Sequence, residues 1–149
     1  MSALNPTLQD LYDEADARGL RVLDHPLPDS LCGIWDWHND TIWLDPGLSD
    51  TQRRCTLCHE LTHAYYGDTT CLGANGGLNE TRCRRRTALL LIDPIEYALS
   101  EQIYGTDVWH IACDLGVTPS LINDWKNLCS HFVSGDYVKT NNKGTLCLV

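Results

Sequence analysis

The strongest constraint in this chain is a helix that must carry two histidines on one face. Ser49, with Gln52 three residues on, has the signature of a capping box, and Gly67 suits the left-handed turn that ends a helix. Between them lies Cys58-His59-Glu60-Leu61-Thr62-His63. Residues four apart share a helix face with Cβ atoms about 5–6 Å apart, so both imidazoles can reach one zinc ion at ~2.0–2.1 Å. Glu60 projects beside them, where it can take a proton from water without being a ligand. This spacing predicts a zinc-dependent hydrolase with His59 and His63 as ligands and Glu60 as general base.

A catalytic zinc site needs a third protein ligand and one open position. The metzincin pattern would place glycine at position 66 and histidine or aspartate at position 69, but the chain has Tyr66 and Thr69. A thermolysin-like arrangement takes a glutamate from the next helix, and Asn79-Glu80 opens that helix here. Glu80 is therefore the expected third ligand, with Asp68 a weaker candidate because it sits where the first helix ends. For the oxyanion, Tyr65, Tyr97, His110 and His131 all stand as candidates.

The rest of the chain reads as α+β, with a small three-stranded sheet packed on a helical zincin core and several short helices after it. Asn5-Pro6 to Gly19 predicts an amphipathic helix. Leu20 to Asp24 reads as a strand, and Gly33 to Trp37 and Thr41 to Leu44 read as a hairpin around His38-Asn39-Asp40. The first of these hairpin strands is expected at the sheet edge beside the metal, where it could pair with an extended substrate. A glycine-rich loop, Gly73 to Gly77, should lead into a helix from Leu78 to Ile92, ended and restarted by Asp93-Pro94. Two further helices, Asp107 to Leu115 and from Thr118-Pro119 to Cys129, complete a domain of residues 1–131. Residues 132–149 read as a C-terminal tail with a hairpin around Asn141 to Gly144.

At 149 residues one domain is expected, and the formal net charge of -9 opposes phosphate binding, so direct nucleic-acid binding is not expected. The basic run Arg82 to Arg86 reads as a solvated face. No stretch approaches the ~20 apolar residues of a membrane span, and the polar, acidic start lacks a signal-peptide pattern, which predicts a cytosolic protein. In that compartment the eight cysteines are expected as thiols. Cys55-Thr56-Leu57-Cys58-His59 also fits a c-type haem attachment pattern, but haem leaves Glu60 and His63 unexplained, and packing one turn apart on a helix is the simpler role for the two cysteines.

Gly33-Ile34-Trp35, Thr41-Ile42-Trp43-Leu44, Arg53 through Ala64 with the histidine motif, and Glu80-Thr81-Arg82-Cys83 followed by Leu90-Leu91-Ile92-Asp93-Pro94 together resemble the ImmA/IrrE metallopeptidases over roughly Leu4 to Leu128. The resemblance implies a gluzincin-like fold, zinc, Glu80 as a ligand, and a protein substrate that in several members is a helix-turn-helix repressor of a phage or other mobile element. Two positions depart from the family pattern. Cys83 replaces a usual alanine, and Arg84 stands where aspartate or asparagine is common, an acidic or amide group that could orient a zinc-bound histidine. Asp68 or Asp93 could take over that support. Two rival readings involve no turnover: an antirepressor that sequesters its partner, or a DNA-binding regulator built on Val108 to Trp125. Against the second, Asp107, Asp114 and Asp124 oppose only Lys126, and Ile111, Leu115, Val117, Leu121, Ile122 and Trp125 read as a packing face.

Overall fold

A computed structural model describes residues 4–69 and 76–133. The first helix, α1 (Leu8–Ala17), begins later than Asn5-Pro6 because Thr7 is its cap: the Thr7 hydroxyl accepts from the Asp10 N–H while the Asp10 carboxylate accepts from the Thr7 N–H. Asn5 is instead tied to a segment distant in sequence, its N–H donating to the Leu90 carbonyl at 2.6 Å. Leu11 and Ala15 bury the inner face of α1.

Strands β1 (Arg21–Asp24), β2 (Gly33–Asp36) and β3 (Thr41–Leu44) form one sheet in the order β1-β3-β2. β3 lies in the centre, parallel to β1 with Arg21 opposite Thr41 and antiparallel to β2 with Gly33 opposite Leu44. Its Thr41, Ile42 and Leu44 are fully buried. β2 is an edge strand, and it stops at Asp36 because the Asn39 side chain donates to the Asp36 carboxylate and Asp40 takes a positive φ of 47°, closing the turn. The Asp45 N–H donates to the Cys32 carbonyl. In an antiparallel ladder hydrogen-bonded pairs alternate, so Gly33 and Trp35 turn their backbone groups away from β3, toward the open edge.

Helix α2 (Asp50–Tyr66) has the expected Ser49–Gln52 capping box and ends at Gly67, whose φ of 68° closes it. It crosses β2 and β3 and packs against α1. Arg54 ties its first turns to two distant segments, donating to the Pro6 and Gly116 carbonyls. Next come α3 (Gly76–Leu91), α4 (Pro94–Tyr104), α5 (Val108–Leu115) and α6 (Pro119–Val133). Gly76 and Gly77, expected in the loop, form the start of α3, while Gly73 lies outside the described residues. Asp93 caps α4 by accepting from the Ile95 and Glu96 N–H groups, which removes it from any role near the histidines. α6 runs one turn beyond Cys129, and residues 134–149, where a hairpin was expected, fall outside the described part.

Ile111, Val117, Leu121, Ile122 and Trp125 are buried in the same core as Leu57 and Leu61 of α2. The helix pair α5–α6 is thus a wall of the domain whose apolar face is consumed by packing. No helix among the described residues is long and apolar enough to cross a membrane.

Candidate metal centre and its cleft

Helix α2 presents His59, Glu60 and His63 toward α3, and the first turns of α3 bring Glu80 to meet them. The two His Nε2 atoms are 3.1 Å apart, and Glu80 Oε2 lies 3.3 Å from that of His63 and 3.4 Å from that of His59. Ligands about 2.0–2.1 Å from a tetrahedral ion are separated by roughly 3.3–3.4 Å, so this triangle can hold one metal ion without rearrangement. The surroundings also favour positive charge. Burial opposes protonation of His63, but Cys83, Glu80 and Asp68 outweigh it and push the imidazole up to about 11, while hydrogen bonds to His59 and His63 hold the Glu80 carboxyl far below the ordinary range.

The other edge of the His63 ring is closed. Its Nδ1 lies 2.9 Å from Asp68 Oδ2 and 3.3 Å from Cys83 Sγ. The second Asp68 oxygen accepts from Arg82 Nη2 at 2.6 Å, and the Arg82 guanidinium lies over the Tyr66 ring at 3.9 Å. Asp68 therefore stands behind His63 and outside the triangle, in the orienting position that the resemblance would give to residue 84. Its placement follows from the left-handed Gly67, after which the Asp68 N–H donates back to the His63 carbonyl. Arg82 and Arg84 are exposed as the charge run predicts, yet each carries an ion pair into this region, Arg84 Nε donating to Glu80 Oε1 at 3.1 Å.

Glu60 is 7% exposed. Burial pushes its carboxyl up, opposed by the charges of His59 and His63 and by the Trp35 backbone amide directed at it from the open edge of β2. This approach depends on Gly33: a Cβ there would lie 2.5 Å from Thr56 Cγ2 and 3.1 Å from Glu60 Cγ. Glycine at this position lets β2 lie directly on α2. The base is held against a strand edge, and the space beyond is a cleft of about 1260 Å3 running from β2 past His59 and Glu80 to Trp109 and Asp124.

The four residues named for the oxyanion all lie elsewhere, none of them lining this cleft. Tyr65 is exposed and packs edge-on against Tyr66. Tyr97 donates to Glu101 and touches Trp125, and His110 pairs with Asp107 and stacks on Tyr104. His131 sits near the end of α6. Cys55 and Cys58 point into the core, and burial pushes the Cys58 thiol up to about 12, as befits packing residues.

The family model of the IrrE N-terminal-like domain, peptidase family M78, matches residues 15–123, which hold the whole sheet, the histidine motif and Glu80. The chain belongs to this family. No curated protein and no solved structure matches it. An IrrE N-terminal-like domain has a metallopeptidase-like fold, and the ligand atoms of His59, His63 and Glu80 lie close enough together to hold one metal ion. Sequence reasoning named that cluster and Glu60. Cys83, one turn after Glu80, was also expected near that face of α3. The contacts of Arg82 and the Trp35 amide were not legible, because they meet the site only through tertiary packing.

Proposed function

We propose that the chain is a zinc metalloendopeptidase that cleaves a protein substrate, with His59, His63 and Glu80 as metal ligands and Glu60 as general base. One observation carries this reading: three donor atoms with tetrahedral spacing converge beside a buried carboxylate on the floor of an open cleft. Bound zinc would supply Lewis acidity, polarising a carbonyl oxygen and lowering the pKa of water. Glu60 takes a proton from the attacking water as its oxygen bonds to the carbonyl carbon and the carbonyl π pair moves onto oxygen. It then delivers that proton to the departing amine nitrogen as the C–N bond breaks. The wall of β2, packed against Glu60 at Gly33, holds the carboxylate toward the cleft through both steps.

The open edge of β2 suits an extended substrate segment, whose backbone would pair with Gly33 and the Trp35 carbonyl as an added strand. A helix-turn-helix repressor of a mobile element is the substrate class that the family resemblance favours. The test is to mix zinc-loaded chain with such a repressor and compare the Glu60→Gln variant. Cleavage by the wild type, with none by a variant that keeps its fold and one zinc, is the expected result. Cleavage by Glu60→Gln at the wild-type rate would overturn the assignment of the base, and stoichiometric binding without cleavage by the wild type would favour sequestration.

A further inference from the structure

We propose that Arg84 binds the oxyanion in this cleft, meeting the negative charge that forms on the scissile carbonyl oxygen. The inference rests on the metallopeptidase reading and adds to it the electrophilic partner of Glu60.

Arg84 is the one lysine or arginine among the described residues that line the cleft. An arginine has five N–H donors in a planar fork, and here only Nε is used, donating to Glu80 Oε1. Both Nη groups take no hydrogen-bond partner among the described residues. The two oxygens of Glu80 divide the work, Oε2 facing the histidine nitrogens at 3.3 and 3.4 Å and Oε1 holding the guanidinium at 3.1 Å. Arg84 thus contacts the oxygen of Glu80 that does not face the histidines, within the cleft that the three donors also line.

The two groups also sit on different elements. Glu60 of α2 packs against Gly33 of β2, whereas Arg84 stands on α3 and lines the cleft together with Asp124 of α6. As Glu60 removes a proton from the attacking water, the carbonyl pair moves onto oxygen on the face away from the base, toward the guanidinium. Charge-assisted N–H donors at such a point stabilise the charged adduct more than the neutral ground state. Pinning by Glu80 on its own helix keeps the fork in place before substrate arrives. The four tyrosine and histidine candidates lie away from this space, and Arg84 is the cationic donor that faces it.

The experiment uses the full zinc-loaded chain and two probes that share a leucyl tripeptide frame. One is a phosphinate, whose tetrahedral anion resembles the adduct; the other is a mercaptoacyl peptide, which ligates through sulfur and carries no such oxygens. Titration calorimetry at zinc saturation should show Arg84→Gln losing on the order of 100-fold in phosphinate affinity, in line with the loss of one oxyanion donor, with the mercaptoacyl affinity little changed. Arg84→Lys, which keeps the charge without the fork, should fall between. Arg84 is 58% exposed, and matched thermal unfolding and zinc-competition titrations check that the variants keep the fold and the metal site. Equal losses on both probes, or no loss on either, would overturn the proposal while leaving the metallopeptidase reading in place. Failure of the wild type to bind either probe would sink the reading itself and the proposal with it.

Discussion

The two edges of the His63 ring are surrounded by equally convergent sets of metal-binding side chains, but the sets differ in what else satisfies them. On the Nε2 edge, His59 and Glu80 gather around a point open to the cleft, with Glu60 alongside. On the Nδ1 edge, Asp68 and Cys83 are just as close but buried, and Asp68 already spends its oxygens on His63, Arg82 and the Cys83 thiol. Proximity of donors is therefore a weak criterion for a metal site. What separates the two edges is access: the open set lines a cleft that a cation can enter, whereas the closed set is buried behind the ring and held by protons and a guanidinium, where it can aim the ring.

Several measurements can break or sharpen that contrast. The largest effect should come from His59→Ala with His63→Ala, which should take metal uptake from one equivalent per chain to none by elemental analysis. Two equivalents in the wild type would show that the closed set also binds metal and would end the distinction. Asp68→Asn should keep the one-metal stoichiometry but weaken zinc affinity by about 10–100-fold in competition titrations, the usual range for a partner behind a ligating histidine. That expectation is sharper than the sequence alone supports, because Asp68 is seen to touch His63. Unchanged affinity would reduce the closed edge to mere packing.

On the open side, Gly33→Ala should force β2 off α2 and lower stability by about 1–3 kcal/mol, the typical penalty of overpacking, and the displaced Trp35 amide should slow cleavage further. A variant with wild-type melting temperature and rate would show that β2 does not need so close an approach. The smallest effect is expected from Cys83→Ala. Its thiol is a small buried group beside a ring already oriented by Asp68, so zinc affinity should change by less than about tenfold, below the range for orienting partners. A larger loss would make the thiol an equal of the carboxylate.

Local rules made much of the fold and half of the centre legible. The Ser49–Gln52 box, the Gly67 stop and the four-residue spacing of the histidines concern one helix, whose geometry is set by residues within a turn or two of one another. The three strands were readable for the same reason, and Glu80 became readable once the resemblance aligned its helix. The first helix was misplaced at its start because Asn5 and Thr7 both look like caps, and the Asp10 carboxylate that settles the choice answers only to Thr7.

The sequence by itself thus determined that one helix would offer two imidazoles and a carboxylate, and that the chain would be α+β around it. Tertiary structure decided which groups those side chains would meet. Asp68 reaches His63 because a left-handed glycine folds the chain back, Trp35 reaches Glu60 because Gly33 has no Cβ to hold β2 away, and Arg84 enters the cleft because α3 crosses α2 where it does. The physical reason is one of range. Helix periodicity repeats along a few residues and is written in them, whereas hydrogen bonds between segments depend on packing that no single segment encodes.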